Sequence, residues 1–245
     1  MLKNLIFIFF LFLSFSFQLF AQIEELEDEY ADKQLWLDYN VQYNLEKNFT
    51  LYGDVGWRII SPHNWTRYYI RPAISFTHYP ITKSKKHLKL VYHFGIGTFY
   101  TNYTKIPNNL EIRPFQGVNI EWSTLKRINI NQYIRLEQQF EYFNGEWDFG
   151  LRARYMLGGT FEFYKTRDNF IDQIYIPFHV EFFWNLDNTQ NFNDVIRITP
   201  GIGYVVNPTW RFEFSTSYHR RKFEIEDAFK TNDIVFRFRV FHNLN

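Results

Sequence analysis

The chain of 245 residues contains no cysteine, which excludes disulfides and thiolate metal sites. It also lacks an excess of either charge. Its 27 Lys and Arg stand against 26 Asp and Glu, so no net field points to nucleic acid or an acidic substrate. Mean hydropathy is −0.36, too polar for a bundle of membrane helices. From Leu35 onward no window longer than a turn shows the apolar stripe of a helix. The seven histidines never fall into an HExxH spacing, so no metal site and no cofactor is expected.

Aromatic residues are abundant instead. With 29 Phe, 17 Tyr and 7 Trp they make up 22% of the chain, which suits strands and membrane interfaces, where a ring with a polar tip sits half wet. The first segment, "MLKNLIFIFFLFLSFSFQLFAQ", places Lys3 before an apolar run and the small Ala21 after it. That layout predicts a cleaved signal peptide over 1–21, because the run is shorter than the roughly 20 residues a spanning helix needs. The acidic stretch over 22–33 reads as a flexible lead-in, leaving one domain over 34–245.

That domain alternates with period two. Leu35, Leu37, Tyr39, Val41, Tyr43 and Leu45 share one face, while Asp38, Asn40, Gln42 and Asn44 take the other. Leu51, Val55, Trp57 and Ile59 likewise oppose Thr50, Asp54 and Arg58. Further runs cover 66–79, 88–101, 111–122, 128–143, 148–164, 173–184, 195–206, 210–220 and 233–243, which makes eleven segments. Their polar faces carry Asp38, Asp54, Arg58, Arg71, Arg113, Arg135, Glu137, Arg152, Arg154, Glu181, Arg197, Arg211, Glu213, Arg237 and Arg239.

Two closed folds produce such faces. A soluble barrel turns the apolar face inward around an apolar ligand; an outer-membrane barrel turns it outward to lipid and encloses a polar lumen. Arg rather than Lys dominates the strands, and its planar fork suits paired, partly desolvated sites. The apolar faces end in Tyr43, Trp57, Trp122, Tyr142 and Trp184, as the aromatic girdles of a membrane barrel do. The reading is therefore an all-β antiparallel transmembrane barrel of ten to twelve strands in a Gram-negative outer membrane. Its partners are outer-membrane lipid and the barrel-assembly machinery. In "IVFRFRVF", Ile234, Phe236, Phe238 and Val240 face lipid, and Arg237 and Arg239 face the lumen.

Eleven segments conflict with the even count usual for bacterial barrels. Either the stretch 24–33 supplies a twelfth strand, or one segment is spurious; 148–164, with Gly158-Gly159 in its middle, is the least strand-like. The tight "EKN", "STLKR" and "VNPT" and the longer "SPHNW", "TNYTKIPNN", "NLDNTQNFND" and "RKFEIEDAFKT" suggest that loop length separates the two ends of the barrel. Pro72, Pro114, Pro177 and Pro200 fall inside strands, where bulges or bends should absorb the missing ladder bond.

The stretches "LWLDYNVQYNLEKNFTLYGDVGWR", "YIRLEQQFEY", "LRARY", "PFHVEFFWNL" and "RITPGIGYVVNPTWRFEFSTSY" resemble a domain-of-unknown-function family of Bacteroidota outer-membrane barrels. The resemblance spans nearly the whole mature chain. It implies fold and location, and no chemistry.

One pair carries a hint of catalysis. Ser217 and His219 lie two apart on one face, as in outer-membrane lipid hydrolases, with no acidic third partner legible beside them. Ordinary lumen lining is the better reading, so no catalytic residue is assigned. The expectation is a barrel that is structural, or a narrow transport or binding barrel. The alternatives are a lipid-modifying enzyme and a soluble barrel for an apolar ligand.

Overall fold

A computed structural model describes residues 32–61, 65–79, 88–122, 127–163, 173–186, 195–223 and 228–245. The expected signal peptide and most of the acidic lead-in lie outside them. The described residues form eleven strands and no α-helix: β1 (Asp32–Glu46), β2 (Phe49–Ser61), β3 (Trp65–His78), β4 (Leu88–Tyr103), β5 (Asn109–Trp122), β6 (Ile128–Phe143), β7 (Glu146–Glu162), β8 (Ile174–Asn185), β9 (Val195–Val205), β10 (Trp210–Phe223) and β11 (Ala228–Asn243). Each pairs with its sequence neighbours, and β1 closes onto β11 to complete a barrel.

Among the described residues the count is odd. The segment around Gly158-Gly159 is a full strand, β7, and residues 24–31 of the stretch expected to supply a twelfth strand lie outside the described residues. Because the strands alternate in direction, an odd number brings the first and last together parallel, with Asp32 opposite Asp233 and Gln42 opposite Asn243. Parallel pairs are slightly weaker per residue than antiparallel ones. Side chains reinforce this seam: Arg237 reaches across it to Asp38, and Asn40 Nδ2 donates to the Val240 carbonyl at 3.1 Å. The Tyr39 hydroxyl meets His242 Nδ1 at 2.6 Å, and Asn245 bonds the Asn44 backbone at both its N–H and carbonyl (2.9 and 2.8 Å).

Loop length does not separate the two rims. The rim carrying the C-terminus holds the tight connections 47–48 and 206–209, but also the long 79–87 and 163–173. The opposite rim includes a two-residue turn, Asn144-Gly145, with φ of 50° and 91°, the type I′ geometry that Asn-Gly favours.

The prolines are not absorbed by bulges. Pairing of β3 with β4 stops at Ile70–Thr98 and resumes at Ala73–Gly95 in unchanged register around Pro72. The same two-residue gap surrounds Pro114 between β5 and β6, Pro177 between β8 and β9, and Pro200 between β9 and β10. A proline costs one ladder bond on one side, and the barrel simply leaves it open. The register shifts fall elsewhere, at Asn44/Glu46 and His219/Arg220.

Facing follows the alternation. Leu35, Leu37, Trp57, Ile70, Phe94, Ile198, Phe236 and Phe238 are exposed on the outside. The interior is built differently from a plain polar lining, because large rings lie flat across glycines of the neighbouring strand. Tyr69 covers Gly56 and donates to Asp38 beyond it at 2.6 Å. Tyr175 covers Gly203 and donates to Glu213 at 2.8 Å. A Cβ at Gly56 would stand 2.2 Å from the Tyr69 ring, well inside van der Waals contact, whereas at Gly53 the nearest atom is 3.5 Å away. Gly56→Ala should therefore cost about 1–3 kcal/mol through overpacking and Gly53→Ala much less. Urea titration of the two folded variants checks this; equal midpoints would rule out the ring-over-glycine packing.

Candidate functional site: an arginine-floored vestibule

The interior splits into two halves. Towards the rim where β1 begins it is solid: Ile60, Phe99, Thr101, Asn109, Glu111, Gln139, Val235 and Asp233 are all buried. Towards the C-terminal rim it opens into a cavity of about 760 Å3, whose wall reaches the rim at Asn207, Thr209 and Asn243. An eight-stranded barrel is just wide enough for side chains to fill, while sixteen strands leave a channel. Eleven strands give an intermediate width, which here is half filled.

The fifteen charged residues singled out from the sequence are buried or half-buried, eight of the ten arginines line the cavity, and most of the fifteen are joined in pairs. Glu137, at 0% exposure, accepts from Arg135 and from Arg152 Nε (2.8 Å), with Arg113 Nη1 3.7 Å away. Arg113 donates through Nε to Glu111 at 2.6 Å. Asp54 holds Arg71 through both carboxylate oxygens (2.9 and 2.5 Å), the bidentate geometry in which Arg gives most. Asp38 binds Arg237, Glu213 binds Arg239 at 2.5 Å, and Glu181 binds Arg154 with Arg197 4.0 Å off. Desolvation makes such pairs a poor source of net stability, but it makes the loss of one partner expensive.

Arg58 and Arg211 differ. Neither makes an ion pair with a described carboxylate, and each has a buried Nε without a hydrogen-bond partner. They are held by stacking: the Arg58 guanidinium lies 3.9 Å from the centroid of Trp36, and that of Arg211 4.1 Å from Phe241. Desolvated cation–π contacts of this kind reach about 2 kcal/mol.

The inward rings Trp36, Tyr69, Phe99, Phe115, Tyr175 and Phe183 are what the alternation did not show, since it assigned aromatic bulk to the outer face. They are the platforms on which the arginines rest, as with Arg113 over Phe99 and Arg197 over Phe183, both at 4.4 Å. The glycines opposite Tyr69 and Tyr175 were the only sequence signal, and it becomes readable only once the register is known.

Most acids stand behind the arginines, so the cavity sees mainly guanidinium groups. Among the described residues that line it, eight are Arg and one is Lys, against two acids, Glu121 and Glu181. Arg58, Arg71, Arg135, Arg154, Arg197 and Arg237 form its floor near mid-barrel.

Ser217 and His219 prove to have an acidic neighbour after all. His219 Nε2 lies 3.1 Å from Ser217 Oγ, and Nδ1 lies 3.5 Å from Asp233 on the paired position of β11. The β10–β11 connection hid this from the sequence. The three are nevertheless packed in the solid half: Ser217 is 5% exposed and its Oγ also bonds Thr199 at 2.7 Å. They do not border the vestibule, so a substrate carbonyl has no described space beside the hydroxyl.

A model of a family described as "protein of unknown function (DUF2490)" matches residues 33–230. The chain belongs to the DUF2490 family. The match begins in β1 and ends at the start of β11, so it takes in ten of the eleven strands and every floor arginine except Arg237. No curated protein matches the sequence. For this DUF2490 protein the functional reading rests on the barrel itself.

Proposed function

We propose that this DUF2490 protein is an outer-membrane β-barrel that conducts nothing across itself and receives an anionic ligand in its one-ended vestibule. The carrying observation is the vestibule's charge, nine cationic side chains against two acidic ones around a cavity that ends on packed residues. Fixed guanidinium groups in a narrow, low-dielectric cleft focus a positive potential and concentrate anions there. The packed half argues against a channel, since Phe99, Ile60 and Val235 are fully buried there.

Membrane insertion is supported by the outer face. Leu, Ile, Phe, Tyr and Trp side chains are exposed there on every strand but β5, from Leu35 to Phe238, far beyond the scattered apolar residues of a soluble surface. Closure supports it too, because an unpaired strand edge cannot survive in hydrocarbon.

Three measurements test the proposal. The protein should fractionate with outer membranes and migrate differently on gels before and after boiling; recovery as a soluble periplasmic protein would sink the location. It should pass no current in a planar bilayer, and steady single-channel steps would open the closed half. Pyrophosphate should raise the unfolding temperature of the detergent-solubilised barrel, as any ligand specific for the native state does, and no shift at millimolar concentration would remove the anion site.

A further inference from the structure

The vestibule's wall narrows the ligand class. Above the arginine floor, beside Arg211, Arg239 and the Lys89–Glu121 pair, it carries neutral amides and hydroxyls, among them Asn40, Gln42, Thr50, Asn119 and Asn131, interleaved with the rings of Tyr52, Tyr133 and Phe241. These groups keep hydrogen-bonding capacity in reserve. Asn40 and Asn131 each donate once through the side-chain amide, to Val240 and Asn119, leaving a second N–H on each. A bare inorganic anion would need only the floor. An acyl chain would need an apolar wall, which the amides deny it. Alternating hydroxyl and C–H edges match a wall of amides and rings, and that is the surface of a sugar.

We infer that the vestibule binds an acidic saccharide, a short glycan bearing carboxylate or phosphate, which enters anionic end first. This rests on the anion-receiving vestibule proposed above. The charged group meets the floor, where Arg58 has no described carboxylate of its own and offers a planar fork of donors to an oxyanion. The sugar ring behind it lies along Tyr52 and Tyr133, with its hydroxyls bonding the Asn and Gln side chains. The cavity's volume of about 760 Å3 falls in the range of about 300–1,000 Å3 typical of small-ligand sites.

Calorimetry on the purified wild-type barrel in detergent tests this with six probes of matched ionic strength: a uronate trisaccharide, a phosphorylated trisaccharide, a neutral trisaccharide, inorganic phosphate, pyrophosphate and an aspartate tripeptide. At least one acidic trisaccharide should bind tenfold or more tighter than each of the other four. Arg58→Gln leaves no carboxylate unpaired and should weaken both acidic sugar and pyrophosphate at least tenfold. Tyr52→Ala should weaken the sugar at least fivefold and leave pyrophosphate unchanged. If pyrophosphate or the peptide equals the acidic sugars, the saccharide assignment falls and the anion vestibule stands. If the neutral sugar binds as well as the acidic ones, or no probe binds, the anion vestibule falls with it.

Discussion

Glu137→Ala is expected to prevent stable assembly of the barrel, or to lower its unfolding free energy by about 3–5 kcal/mol. The carboxylate has no exposure to water and stands among three guanidinium groups, those of Arg135, Arg152 and Arg113. Without it, three positive charges from β5, β6 and β7 share one buried space, and only Arg113 retains another acid, Glu111. Removing one member of a buried pair costs more than the pair contributed, because the survivors remain desolvated. Lys89→Ala is the informative contrast. It breaks the Lys89–Glu121 pair, whose side chains are more than a third exposed, and should cost at most about 1 kcal/mol. Thermal unfolding followed by gel mobility compares the two variants, and a Glu137→Ala barrel as stable as Lys89→Ala would show that the cluster is solvated rather than buried.

Phe236→Arg should impair insertion by about 2–4 kcal/mol, the cost of a cation on the lipid face at mid-bilayer. Phe236 sits near the middle of β11, 42% exposed on the outer surface and flanked in sequence by the inward-facing Val235 and Arg237. Phe236→Leu keeps the surface apolar and should assemble like wild type. The comparison separates a lipid-facing position from a merely bulky one. Assembly yields in vesicles that are indistinguishable for Arg and Leu would place this face in water, and with it the whole outer surface.

The two experiments probe opposite sides of one strand wall. In the proposed function the vestibule depends on both: an apolar outer face suited to lipid, and paired charges inside that keep the arginines in place.

Alternation by itself determined that each strand has one mostly apolar and one charged face, but it did not show the rings, such as Trp36, Tyr69 and Phe99, that lie among the charges. A side chain in a strand has two directions to choose from, and apolar, charged and aromatic positions recur with that period from Leu35 to Phe241. For the same reason the eleven segments were legible, and each is a strand of the barrel. What the alternation could not carry is any relation between strands. The parallel β1–β11 closure, the rings of Tyr69 and Tyr175 over Gly56 and Gly203, and Asp233 opposite His219 all depend on register, which pairing and turns set together. The fate of the prolines was decided there as well, since only the ladder shows that Pro72 and Pro200 interrupt one side without shifting it. Whether the interior is a channel, a plug or a pocket was equally beyond the sequence. That depends on how much side-chain volume eleven strands enclose at each height: Ile60, Phe99 and Val235 are packed in one half, while the amides and hydroxyls of Asn40, Gln42 and Asn131 border open space in the other.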